Sequence, residues 1–254
     1  MGSLWRDVIR PKEHGSWSLA LEPIALGLLV APSWAGASLA VALVAGFFAR
    51  RPLRLAAKEP ARERRRIAGE ALAACALPAL AGFAGAVVLG GTGWVAWLVP
   101  VVAAGAGFLY FDLRGEGREE VAELIGAGAF ALVPSALAVL GGFPAEAAVT
   151  LALLMLGRAV PSVAAVRAHL RATKTGTRRD GFALGSALVA VVVALWVARR
   201  GVAPGFAVIA AGVFAVRAIA LLVIVRPSWR ASRIGMIEAV LGLAFVLGLA
   251  LAWR

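Results

Sequence analysis

Arg10, His14, Ser18 and Glu22 fall four residues apart in RPKEHGSWSLALEPIALGLL, where the chain is already turning apolar. On a helix this spacing stacks a guanidinium, an imidazole, a hydroxyl and a carboxylate along one side. A four-residue step drifts about 40° per repeat, so Arg10 is expected at the surface while His14, Ser18 and Glu22 line the interior. His14 and Glu22 are the candidate catalytic pair, able to exchange a proton. Two turns separate them, about 12 Å of rise, so they would act on a ligand between them or through Ser18.

A second set lies in RAVPSVAAVRAHLR, where Arg158, Ser162 and His169 recur on one side at helical spacing and Pro161 frees backbone groups on the same turn. A third is ARRPLRLAAKEPARERRR. There Arg51, Arg54 and Lys58, three and four apart, align three cations on one helical face. Such a face suits a phosphate or diphosphate, because Arg offers forked donors and Lys a point charge. It equally suits anchorage on anionic lipid, and for Arg62–Arg66 anchorage is the better reading. DLRGEGREEVAE, the one acidic cluster, reads as a solvated turn followed by an acidic helix start. Two histidines cannot make a three-His metal site, and no phosphate-binding glycine loop occurs. No metal and no cofactor are expected.

These residues are carried by an oily chain. Of its 254 residues 61% are hydrophobic and only 16% charged, with a mean hydropathy of +0.88. Soluble domains carry about a quarter charged residues, so the composition indicates a polytopic membrane protein. Glu22 and Pro23 within the first apolar run, and a further run directly after it, argue against a cleaved signal peptide. The lone Cys75 excludes an internal disulfide. A net charge of +12 reflects orientation and lipid headgroups rather than nucleic acid.

Nine spans are expected, at about 16–33, 35–50, 70–90, 93–111, 121–141, 145–166, 181–198, 203–225 and 234–253, each near the roughly 20 residues a bilayer requires. No period-two alternation occurs in them, so they are helices, and the fold class is an all-α membrane bundle forming one domain over 1–254. Alternate connections, at 1–15, 50–69, 112–120, 167–180 and 226–233, hold 21 of the 26 Lys and Arg residues. The positive-inside bias therefore puts the N-terminus in the cytoplasm and the chain in the cytoplasmic membrane. Prolines 23, 78, 100, 134 and 161 predict kinks or breaks. Glu22, Glu123, Arg158, Arg217 and Glu238 are the ionisable groups in or near spans. They lie toward the cytoplasmic ends, where they can line one cavity, with Glu22 or Glu238 pairing an arginine. Snorkelling of Arg217 and an interfacial Glu238 are the plainer alternatives.

PKEHGSW, RRPLRL, AELIGAGAFALVPSALAV and RAVPSVAAVRAHLR together resemble the YwiC-like family of bacterial integral membrane proteins, over essentially the whole chain. In topology the chain is also similar to the intramembrane prenyltransferases of the UbiA superfamily. These bind an isoprenoid diphosphate through magnesium held by aspartate-rich motifs at the ends of the second and sixth helices. The matching places here are basic, so the resemblance implies an anionic or isoprenoid ligand held directly by cations. Any transfer on it would be metal-independent. Membrane lipids are the expected partners. Transport of a small anion or metabolite, or service as an accessory subunit of a respiratory complex, are the alternative functions.

Overall fold

A computed structural model of the protein describes Trp5, Val8, residues 16–175 and 181–224, Trp229 and residues 231–253. All regular structure among the described residues is helical, with no strand, and we number the helices in chain order. They are α1 (Ser16–Val30), α2 (Trp34–Lys58), α3 (Arg62–Gly90), α4 (Val99–Arg114), α5 (Glu120–Ala131), α6 (Val133–Leu140), α7 (Ala145–Thr175), α8 (Gly181–Arg199), α9 (Phe206–Ile219) and α10 (Ala231–Trp253). A 3-10 turn, Val95–Leu98, leads into α4, and α9 runs on into a π turn, Ala220–Ile224. With α5 and α6 joined end to end, the described chain makes nine rods, matching the expected number. Seven are long and apolar enough to cross a membrane, and α1 supplies a shorter apolar helix, Trp17–Val30. The protein is a multi-pass membrane protein.

The boundaries depart from expectation where the chain is basic. Residues 50–69, expected as a connection, are helix except for a short break at 59–61. Likewise α7 continues to Thr175 through much of the expected connection 167–180. The reason is local. Leu, Ala, Arg, Lys and Glu are all good helix formers, and no glycine or proline interrupts Leu53–Lys58 or Arg62–Ile67. With 29 residues, α3 is roughly 44 Å long at 1.5 Å per residue, well beyond about 30 Å of hydrocarbon. The cations of Arg62–Arg66 thus sit on a rigid overhang.

Proline acts in two ways. Pro100 and Pro134 stand in the first turns of α4 and α6, where a missing N–H costs nothing. Pro134 thereby explains why the expected span 121–141 is split at Leu132. Pro23, Pro52, Pro78 and Pro161 lie inside continuous helices.

The bundle is sorted by side-chain size and burial. The apolar stretch of α7 is 67% buried, against 17% for α3 and for the α4 rod, so α7 is the central element and α3 and α4 stand at the periphery. Leu77, Leu80, Val88, Leu188, Val192 and Leu251 are exposed, as lipid-facing residues are. Inside, alanine predominates: Ala131, Ala136, Ala138, Ala148, Ala165 and Ala194 are fully or almost fully buried. Lipid removes the hydrophobic drive between helices, so close backbone approach through small residues takes its place. The α2–α3 hairpin shows this at Gly82, where a Cβ would stand 2.5 Å from the Ser38 carbonyl oxygen and 2.8 Å from the Ala42 nitrogen. Neither backbone atom can yield without parting the helices.

Gly82→Ala is therefore expected to lower the unfolding temperature in detergent. Gly69→Ala, on the same helix with open space around it, should leave that temperature unchanged or raise it, since Gly to Ala in a helix is worth about 0.5–1 kcal/mol. Thermal unfolding of the two variants side by side tests the contact.

Candidate functional site

Four helices each contribute one charged residue to an interior cluster. Glu22 lies on α1, Arg158 on α7, Arg217 on α9 and Glu238 on α10. Glu22, Arg158 and Glu238 are buried, Arg158 almost completely at 2% exposure. Glu22 and Glu238 stand six and seven residues into their helices, roughly 9–11 Å of rise, so both lie about two turns below the basic end.

The four form one network. Arg158 Nη2 donates to Glu22 Oε1 at 3.0 Å and to the backbone carbonyl of Glu238 at 3.1 Å. Its Nε lies 2.8 Å from Glu22 Oε2. That second approach is an ion pair without hydrogen-bond alignment, since both atoms are buried without a hydrogen-bond partner in the protein. Arg217 Nη2 pairs with Glu238 Oε1. The Phe214 ring lies 5.4 Å from the Arg158 guanidinium carbon, and the Ser18 hydroxyl is hydrogen-bonded to the Glu22 carboxylate from one turn away. With two carboxylates and two guanidiniums, the network is neutral overall. This is what makes it tolerable in an apolar bundle, where an unpaired charge would cost several kcal/mol.

Gly242 makes the arrangement possible. A Cβ at this position would collide with the Glu22 carboxylate and with Arg158 Nη2, so the ion pair rests directly on the α10 backbone. On its other side Arg158 meets an apolar wall of Leu154, Ala190, Ala194, Phe214 and Phe245 around a void of about 10 Å³, room for one water at most.

A second charged junction stands at the basic end. Asp112, the one acidic residue of α4 and two positions before its end, is 1% exposed and takes a 2.9 Å hydrogen bond from Arg54 Nη1. Arg50 Nε lies 3.6 Å from its other oxygen, and the Arg50 guanidinium sits 4.8 Å above the Phe108 ring. Gly115 closes the helix in the left-handed conformation at φ 84°, as a C-terminal glycine commonly does. The following turn packs onto Asp112 so closely that a Cβ on Gly117 would lie 2.5 Å from its Oδ1. Nearby, Arg167 and Arg171 of α7 pair with Glu123 and Glu120 of α5.

Of the residues expected to form a site, the structure brings together Ser18, Glu22 and Arg158, with Ser162 buried one turn beyond Arg158. Arg10 and His14 lie outside the described residues. Arg51, Arg54 and Lys58 lie on one continuous helix, but Arg54 is committed to Asp112 and Lys58 is exposed. His169 turns to the π turn, where its Nδ1 lies 3.3 Å from the Leu221 carbonyl oxygen. Arg217 and Glu238 pair with each other instead of reaching the interface separately. Trp17 packs edge-on against Phe47 and Phe48 at 5.9 and 5.1 Å.

Asp112 is the residue that sequence reasoning missed, taken there as part of a solvated turn. Its signal was its position directly after the apolar run GAGFLYF, together with two arginines four apart in α2 that needed a carboxylate. The magnesium implied by the UbiA-like topology does not suit these ends. Asp112, Glu120 and Glu123 are each neutralised by arginine, and no three His, Cys, Asp or Glu side chains converge among the described residues.

Breaking a buried pair by removing one partner costs about 3–5 kcal/mol, while removing both is far milder. Arg158→Met is accordingly expected to lose much stability in detergent and E22M/R158M to recover most of it. Gly242→Ala should fall well below Gly235→Ala, which has open space around it. Equal unfolding temperatures for the two glycine variants would contradict the contact.

The profile of the YwiC-like protein family matches residues 10–138, just over half of the chain. The match includes Glu22 and Asp112 and ends before Arg158. No curated protein and no solved structure matches. With helices as its only regular structure among the described residues, and seven of them long and apolar enough to cross a membrane, the chain belongs to the YwiC-like family.

Proposed function

We propose that the protein binds an anionic, lipid-like molecule, of which an isoprenoid diphosphate is the type, at a polar site reached from the cytosolic side. One observation carries this reading: two guanidiniums, Arg158 and Arg217, are kept inside apolar helices with carboxylates as their counter-ions. Helix packing alone is served as well or better by apolar residues, and intramembrane charges mark ligand or ion paths by default. Carboxylate and phosphate present similar oxygens to the guanidinium fork, so Glu22 holds the place on Arg158 that a phosphoryl group would take.

In this reading Arg51 and Lys58 receive the anion at the cytosolic rim. Arg54 is a positioning residue, since it fixes α4 through Asp112. Ser18 and Ser162 line the site beside Arg158, and His14 and Glu22 exchange the proton. The void beside Arg158 is too small for such a ligand, so binding displaces Glu22 or parts the helices around it.

A second reading, movement of a small anion across the membrane, is favoured by the irregular backbone near the charges. The π turn Ala220–Ile224 follows Arg217 within one turn, and the rod Glu120–Leu140 is broken at Leu132. π turns and interrupted helices recur at functional sites and in transporters.

Farnesyl diphosphate added to the purified protein is expected to raise its unfolding temperature, farnesol is not, and Arg158→Gln should abolish the response. No response of the wild-type protein to farnesyl diphosphate or to inorganic diphosphate would defeat the binding reading. Diphosphate flux into proteoliposomes, lost in Arg217→Gln, would favour transport.

A further inference from the structure

The charge balance of the network has a chemical consequence for whatever anion it receives. We infer that anion capture at Arg158 is coupled to proton uptake by Glu22, so that a negative charge enters the bundle together with a proton. This rests on the anion-binding reading above and adds the rule by which the site accepts charge.

The argument begins with space. Among the described residues Arg158 has one acidic partner, Glu22, and Gly242 shows that the pair fills its side of the interface down to the α10 backbone. The opposite side of the guanidinium is apolar, with Phe214 stacked near it. An anion therefore cannot join Arg158 beside Glu22; it replaces Glu22. Geometry favours the exchange, because Arg158 Nε and Glu22 Oε2 are in ionic contact but lack an aligned hydrogen bond.

Charge comes next. Glu22, Glu238, Arg158 and Arg217 sum to zero. Adding an anion leaves a net negative charge in the interior, with Glu22 displaced from its counter-ion. Among the described residues, no cation besides Arg158 is paired with Glu22. From α7 comes Arg158 and from α10 Glu238, which is occupied by Arg217 of α9. From α1 itself comes Ser18. The acidic groups of α5, Glu120 and Glu123, are bound to Arg171 and Arg167, and α6 has no ionisable residue. Of the α2 cations, Arg50 and Arg54 are turned to Asp112, while Arg51 and Lys58 belong to the rim. One proton from cytosolic water, forming an O–H bond on Glu22, cancels the carboxylate charge that the anion displaces from Arg158. Ser18, a turn nearer the basic end, remains in place as its hydrogen-bond partner.

Isothermal titration of farnesyl diphosphate into the purified full-length protein, in HEPES and in Tris, counts protons taken up per ligand bound. The wild-type protein is expected to take up one proton more than Glu22→Gln, which cancels any proton exchange by the ligand itself. Its Kd should rise with pH, by about tenfold per pH unit for one linked proton, more steeply than that of Glu22→Gln. If Glu22→Gln does not fold, a wild-type Kd that is flat in pH overturns the inference. Binding with equal proton counts in both proteins overturns it while leaving the binding reading intact. Absence of binding in both removes the binding reading and the inference with it.

Discussion

A charge placed in a membrane interior must bring its opposite with it, and the contact between Glu22 and Arg158 meets that condition here. The two residues are 136 positions apart in sequence, on the first helix and on the most buried one. Their pairing therefore ties the beginning of the chain to its centre. Arg217 and Glu238 extend the tie to the last two rods, with the Glu238 carbonyl accepting from Arg158 while its carboxylate holds Arg217. Small residues around the network follow from the same condition. Bulk at Gly242 would separate charges that the surrounding hydrocarbon cannot solvate.

The ion pairs of the protein differ in consequence because they differ in exposure. Arg66 and Glu70 are 59% and 49% exposed, and such a pair on one helix contributes about 0.3–0.5 kcal/mol. The Arg54–Asp112 contact joins α2 to α4 through a carboxylate that is 2% exposed and has Arg50 as its second cation. Arg167 and Arg171 make the corresponding connection between α7 and α5 at more exposed positions. Charge at the basic end thus does two things. It biases orientation in the membrane, and through a few chosen residues it holds the rods in register with one another.

Much of the fold was legible in the sequence, since apolar runs of span length have few alternatives in lipid. The number of rods, their helical character and the pairing of Glu22 with an arginine all follow from hydropathy and the cost of buried charge. The helix ends did not follow, because hydropathy falls wherever arginines begin, whether or not the backbone stops being helical. Arg50–Lys58 and Arg62–Arg66 were read as connection for that reason. Asp112 was illegible for a related one: a carboxylate beside two glycines looks solvated until the helix carrying its cations is seen to run alongside. The grouping of Arg217 with Glu238 depends on the relative rotation of α9 and α10, which neither sequence segment specifies alone.

The helical continuity of α2 through Arg50, Arg54 and Lys58 also determines how this stretch tolerates changes of length. A flexible connection absorbs an added or deleted residue with little effect elsewhere. In a continuous helix, one extra residue between Phe48 and Arg50 turns everything beyond it by about 100°. Both guanidiniums would then swing away from Asp112 although every side chain was retained. The basic stretch is thus phase-locked to the apolar part of its helix. Substitutions there act one residue at a time, whereas a single insertion acts on the entire face.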